Sequence, residues 1–267
     1  MSFLNFQILV VMKMRIYLNK VYFFICIMLL LSACQYKQTI TEITTTTQTC
    51  MKEDVYDYSK TVEESKDYGD EYLKRSLFVG DSRIYVIEEA QLDYTNVVAK
   101  VGLIVNKLDV TIIKQDEQQD YTAMDLIRQQ DIDHLYIMFG YNELGWVYPD
   151  LFIQAYQRTI EEIKKIHPHI DVYVLSIYMP SEEALKKDKY ASKEKIEEYN
   201  QLLHQMCIDN KYYFIQSDTF FANEQGYIKE EYTEDGVHLK QEYILDYLMF
   251  IKTHVVEREQ YEKIHCD

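Results

Sequence analysis

Glycine and proline are both scarce in this chain, at 7 and 3 of 267 residues, which excludes collagen-like and Pro-rich modules. Basic residues are few as well: 28 Lys and Arg stand against 44 Asp and Glu, a formal net charge of −16. So acidic a chain is not expected to bind nucleic acid, because counterion release from a phosphate backbone needs clustered cations. The five cysteines, Cys26, Cys34, Cys50, Cys207 and Cys266, lie far apart with no Cys-x-x-Cys pair. That spacing is neither a disulfide framework nor a zinc pattern. A Cys50–Cys266 bridge stays open without support, and free thiols are otherwise expected. The sequence has no metal-ligand cluster, Gly-rich phosphate loop or nucleotide fingerprint, so no metal and no cofactor is expected. What is present is apolar material, 48% of residues with 25 Tyr among them, enough for the core of an ordinary domain.

The first 33 residues contain no Asp or Glu, and their only charges are Lys13, Arg15 and Lys20. Val21–Ala33 is almost wholly apolar but falls short of the ~20 residues a spanning helix needs. A basic segment, a short apolar run and small residues before a cleavage point make a secretory signal. It starts at Met1, Met12 or Met14. Leu31-Ser32-Ala33-Cys34 resembles the lipobox of bacterial lipoproteins at all four positions. The resemblance implies removal of residues 1–33 and lipidation of Cys34, whose acyl chains, at ~0.8 kcal/mol per buried CH2, hold the chain to a membrane outside the cytoplasm. An uncleaved signal-anchor also places the body outside. Residues 34–72, with the run Thr44–Thr47 and poor hydrophobic periodicity, are expected as a tether, with a first helix of the domain around Tyr56–Lys66 as the alternative.

From Leu77 onward the pattern changes. Short apolar runs at Leu77–Gly80, Asn96–Val101, Leu135–Phe139, Asp171–Ile177 and Tyr212–Gln216 are strand candidates. Helical spacing marks Arg83–Ala90, Tyr121–Gln130, Leu151–Ile166, Ser192–Asn210 and Gln241–Val256. Five alternating units predict a three-layer α/β/α domain over 73–258, with a five-stranded parallel doubly wound sheet and a tail at 259–267. Sites in such sheets form beyond the carboxyl ends of strands.

Three motifs fall at strand-to-helix junctions. Gly80-Asp81-Ser82 opens a helix, where free N–H groups offer positive potential, although a Ser there can equally be a plain N-cap. Phe139-Gly140-Tyr141-Asn142-Glu143 supplies an Asn amide able to donate to an oxyanion, or a turn-forming Asn. Asp235-Gly236-Val237-His238 puts a carboxylate three residues before a histidine, so that one ring nitrogen can be held while the other acts as base.

In this order the three motifs resemble those of the SGNH (GDSL) hydrolase family across about Leu77–Phe250, with Glu143 where the family's third block has Asp. The resemblance implies a flavodoxin-like fold and a serine esterase. Ser82 is then the nucleophile, His238 the base and Asp235 its partner; the oxyanion hole is the N–H groups of Ser82 and Gly102 with the Asn142 amide. Tyr141, Trp146 and Arg83 are candidate substrate contacts. His238 must start neutral, so activity is expected to fall in acid. The expected substrates are small O-acyl groups, acetyl foremost, on envelope or secreted carbohydrate, with the membrane contacted only through the N-terminal lipid. Lipid esters, transfer of the acyl group to a sugar hydroxyl, and a non-catalytic binding lipoprotein on the same scaffold remain alternatives.

Overall fold

The computed structural model describes residues 50–117 and 119–266, so the expected signal segment and the expected lipidation site Cys34 lie outside the described residues. Asp54–Lys263 form one compact unit. In chain order the elements are Cys50–Asp54 (β1), Gly69–Lys74 (α1), Ser76–Gly80 (β2), Ser82–Glu89 (α2), Asn96–Ala99 (β3), Ile112–Gln115 (β4), Asp120–Thr122 (β5) and Ala123–Arg128 (α3). They continue with His134–Met138 (β6), Pro149–Ile166 (α4), Asp171–Leu175 (β7), Glu182–Lys187 (α5), Lys193–Asn210 (α6), Tyr213–Ile215 (β8), Asp218–Phe221 (α7), Ile244–Lys252 (α8) and Glu262–Cys266 (β9). β1 pairs with β9, and β4 with β5, in two small sheets.

The main sheet has five parallel strands in the order β3-β2-β6-β7-β8. This is the flavodoxin-like arrangement, whose order reverses beside the first strand to enter, here β2. Alternation along each strand sorts side chains between two helical layers. Leu77, Val79, Leu135, Ile137, Val172 and Val174 face α3, α4 and α6, which bury Ile127, Phe152, Tyr156, Ile160 and Leu203. Phe78, Tyr136, Tyr173 and Tyr213 face the other way, onto α1, α2 and α8, with Leu73, Ile84, Ile87, Tyr247 and Ile251. The expected three-layer α/β/α architecture is therefore present, and all five strand candidates are strands.

Local chemistry sets the element ends. Pro149 opens α4, where its missing N–H costs nothing, and the helix stops at Ile166, just before His167-Pro168. The Thr122 and Asp125 side chains reciprocally cap α3, and Ser192 caps α6 by accepting from Lys195 N.

Much of the tyrosine is spent on one sheet face. Phe78, Tyr136, Tyr173 and Tyr213 are consecutive register partners across four strands, with ring centroids 5.2, 4.7 and 4.9 Å apart. Such pairs are worth about 0.5–1.5 kcal/mol each beyond area burial. The row continues into residues expected as tether: Tyr56 and Tyr58 sit 5.1 and 5.5 Å from Tyr213. Val62 N donates to Phe214 O at 2.8 Å, along the outer edge of β8, and Ser65 N to Thr253 O at 2.6 Å. Residues 55–72 thus belong to the domain, and from the expected tail Tyr261 joins them, its ring 5.0 Å from Tyr56. Their aromatic rings bury apolar area without helical or strand periodicity. Among the described residues, no helix is long and apolar enough to cross a membrane.

Candidate active site

β2 ends at Gly80, and no larger residue fits there. A Cβ would lie 2.5 Å from Ile84 Cγ1 and 2.6 Å from the carbonyl oxygen of Met138. Asp81 follows in extended backbone, and its Oδ1 accepts from Arg83 N at 2.9 Å. Asp81 is therefore the N-cap of α2 and Ser82 its first residue. The capping role that a serine can take at such a junction is already filled, which leaves the Ser82 hydroxyl available.

That hydroxyl meets the last motif. Ser82 Oγ lies 2.8 Å from His238 Nε2, and His238 Nδ1 lies 2.6 Å from Asp235 Oδ2. Asp235 Oδ1 accepts from Val237 N at 2.8 Å, His238 N at 2.9 Å and Thr233 Oγ1 at 3.2 Å. Burial alone would raise the Asp235 carboxyl, but the His238 ring and the two backbone N–H groups outweigh it and hold it well below the usual carboxylate range. The turn that presents His238 is fixed from beneath. Tyr178 Oη donates to Val237 O at 2.9 Å, and Ser181 N to Gly236 O at 2.7 Å. Gly236 has φ +81°, and a Cβ on it would stand 2.2 Å from Ser181 Oγ, so only glycine suits this turn.

Asn142 lies in the turn after β6, the neighbour of β2. Its Nδ2 donates to Leu103 O at 3.1 Å and approaches Asp81 Oδ2 at 3.4 Å. Gly102 lies in the turn after β3, where Leu103 N donates to Lys100 O at 3.0 Å, with φ +77° and nothing within 4 Å of a Cβ. The loops bearing Ser82, Gly102 and Asn142 thus issue from three adjacent strands, at the switch point where such sheets form sites.

Ser82, His238, Asn142 and Tyr141 line an open hollow of about 410 Å³, closed by Ala184, Lys187, Asp188 and Val237. Tyr141 Oη donates to Asp188 Oδ2 at 3.2 Å, and burial pushes the phenol up to about 12. Two expected substrate contacts are elsewhere. Trp146 packs edge-on against Phe152, 6.5 Å between centroids, as part of the α4-side core. Arg83 is 2% exposed, its guanidinium carbon 4.0 Å from the Tyr141 ring and 4.2 Å from Tyr178, and Nη1 donates to Tyr178 O at 2.7 Å. The helix turns Arg83 inward beside Ile84 and Ile87, so it lies under the hollow rather than on its wall. Sequence reasoning missed Ala184, Lys187 and Asp188, which no motif marks, and Tyr178, which lies just past the strand candidate Asp171–Ile177. Among the described residues, no three His, Cys, Asp or Glu side chains gather as a metal site requires.

Solved structures with this fold include one described as a platelet activating factor from Streptococcus pneumonia, at 21% identity over 67% of this chain and 83% of that one, with a TM-score of 0.53. A GDSL-like lipase from Bacteroides thetaiotaomicron aligns at 18% identity over 66% and 84%, with a TM-score of 0.50. Both likenesses bear on the fold. No curated protein matches the sequence. Residues 86–242 match the GDSL-like Lipase/Acylhydrolase family, a span that begins four residues after Ser82 and takes in Asn142, Asp235 and His238. The chain therefore belongs to the GDSL-like lipase and acylhydrolase family.

Proposed function

We propose that this chain is a serine esterase that removes short O-acyl groups, acetyl foremost, from a hydroxyl-rich carbohydrate. The observation that carries the reading is the unbroken hydrogen-bond chain from Ser82 Oγ through His238 to Asp235, at 2.8 and 2.6 Å. Ser82 attacks the ester carbonyl while His238 Nε2 takes its proton, and Asp235 holds the proton on Nδ1 and stabilises the imidazolium. The oxyanion is received by the N–H groups of Ser82 and Gly102 and by Asn142, whose long 3.4 Å approach to Asp81 is the contact given up. Protonated His238 then releases the alcohol, and water, activated by the same ring, frees the acid.

The substrate class rests on the hollow. Its apolar wall is the Ala184 methyl, Val237 and the Tyr141 ring, with no long aliphatic trough, while Lys187 and Asp188 offer a cation and a carboxylate at its mouth. A short acyl group fits such a wall, and a polyhydroxylated alcohol suits such a rim. The lipobox adds the location: Cys34 carries the lipid, and the domain works at the outer face of a membrane. The test is turnover of a chromogenic acetyl ester by residues 35–267. Ser82→Ala is expected to fold and to lose hydrolysis, and folded Ser82→Ala that keeps turnover refutes the nucleophile. Cys34→Ala is expected to leave the membrane fraction.

A further inference from the structure

Glu143 occupies the place where the family's third block carries Asp, and the mechanism above does not use it. Its side chain is completely buried. Oε1 accepts from Val105 N at 2.7 Å and Oε2 from Gly140 N at 2.9 Å, while its backbone carbonyl accepts from Tyr199 Oη at 3.1 Å. Val105 lies on the loop after β3, three residues beyond Gly102, and Gly140 opens the turn that carries Asn142. One carboxylate thus bridges the loops from two strands that flank β2 on opposite sides.

A second bond runs between the same loops with opposite polarity, from Asn142 Nδ2 to Leu103 O at 3.1 Å. Thr159 Oγ1, from α4, donates to Val105 O at 2.7 Å and closes the far side. Residues 103–105 are therefore gripped at three points, and among the described residues only Glu143 joins them to the backbone of the Asn142 turn. We propose that Glu143 is a positioning residue that sets the spacing between the Gly102 and Asn142 donors of the oxyanion hole.

This assignment rests on the serine-esterase reading for its catalytic consequence, though not for the bridge itself. A buried carboxylate is an expensive link, since apolar side chains of similar volume would fill the space at least as stably. What they cannot do is fasten two backbone N–H groups at one separation. Catalytic donors displaced by about 1 Å lose up to ~10²-fold in rate. Asp, one methylene shorter, keeps both acceptors on a shorter arm, whereas Gln keeps one acceptor and turns an N–H toward an N–H.

The experiment compares the wild-type chain with Glu143→Gln and Glu143→Asp at pH 8. Turnover of an acetyl ester is measured together with hydrogen exchange at the Val105 and Gly140 amides. Folded Glu143→Gln is expected to lose between about 10- and 100-fold in kcat, with KM within about threefold, and Glu143→Asp to recover part of the loss. Exchange at the two amides is expected to quicken in Glu143→Gln while the sheet stays protected. Unchanged exchange at Val105, or a kcat within about threefold of wild type, overturns the proposal. If Glu143→Gln does not fold, the same two readouts on Glu143→Asp decide. A wild-type chain that turns over ester no faster than Ser82→Ala sinks the esterase reading instead, and the exchange result alone then judges the bridge.

Discussion

Replacing Asp235 by Asn is the sharpest test of the proposed chemistry, because it alters protons while leaving shape almost untouched. The carboxylate accepts on both oxygens: Oδ2 from the His238 ring, and Oδ1 from Val237 N, His238 N and Thr233 Oγ1. The 2.6 Å contact to Nδ1 is shorter than an ordinary N–H···O bond, as befits an ionised acceptor. Held well below the usual range, Asp235 stays charged at any pH suited to an ester assay. Asn keeps the oxygen that caps the turn but presents an amide N–H to Nδ1. The ring must then carry its own proton on Nε2, facing Ser82, and cannot accept another. A loss of about 10⁴ in kcat is expected, roughly 5 kcal/mol of barrier at about 1.4 kcal/mol per decade. Asp235→Ala should lose as much activity, and also about 1–2 kcal/mol of stability as the turn's N–H groups lose their acceptor. Acetyl-ester kinetics and urea denaturation on the three proteins separate the two effects. Folded Asp235→Asn with a kcat within tenfold of wild type would refute the role assigned to this carboxylate.

Burial pushes the Glu143 carboxyl up to about 7, against opposing hydrogen bonds from Val105 N and Gly140 N, while the unfolded group sits near 4.5. Between those values the folded state keeps a proton that the unfolded chain has released, so raising the pH through this window should cost about 3 kcal/mol of stability. Glu143→Gln, which cannot titrate, should gain on wild type by that amount from pH 4.5 to 8, and parallel curves in denaturant titrations would contradict the linkage. In the aromatic row, Tyr136→Phe removes only the 2.7 Å hydroxyl contact with Tyr72 and should cost about 1 kcal/mol. Tyr136→Ala also removes a ring stacked on both sides and should cost about 3–5 kcal/mol, with kcat unchanged in the folded fraction because the row lies away from Ser82. Finally, kcat/KM should fall at least about tenfold from acetyl to octanoyl esters, since the hollow offers only Ala184, Val237 and a Tyr ring to an acyl chain. An octanoyl preference would shift the substrate class toward lipids.

The five strands were legible because strands buried on both faces read as unbroken apolar runs, as Leu135–Phe139 does. The β4–β5 hairpin was not, since Ile112–Gln115 is half-buried to exposed and alternates weakly. Residues 55–68 escaped for a different reason: Tyr56 and Tyr58 are held by ring contacts rather than by a repeat, and periodicity is blind to those. The three polar site residues that meet in space were marked by motifs, whereas Lys187 and Asp188 reach the hollow only through the path of the β7–α6 connection. Arg83 is the instructive failure. A charged residue directly after Ser82 reads as a substrate contact, yet it shares a stripe with Ile84 and Ile87, and that phase already pointed it inward.

The placement of buried charge follows the same logic. Among the described residues, the buried ionisable side chains outside tyrosine and cysteine are Asp81, Arg83, Glu143 and Lys252. Lys252 pairs with Asp70 at 2.9 Å, while Asp81 and Arg83 flank Ser82 in the chain and Glu143 follows Asn142. Burial raises both Asp81 and Glu143, with Arg83 easing Asp81, so each carboxylate is held at some cost to stability. Among the described residues, two guanidinium nitrogens of Arg83, Nε and Nη2, have no hydrogen-bond partner. Apolar side chains there would be at least as stable, and most of the buried core is built that way. Each of these groups, however, ties loop backbone or loop side chains together: Asp81 caps the start of α2, Glu143 joins the turns after β3 and β6, and Arg83 packs on the rings of Tyr141 and Tyr178, the latter holding the carbonyl beside His238. Directional bonds can fix a separation between backbones that dispersion contacts leave free to drift, and the proposed proton relay between residues 82 and 238 would tolerate little drift. The cost in stability falls where these loops must meet, and it is on the position of those loops, more than on the fold beneath them, that the contacts of Asp81, Arg83 and Glu143 bear.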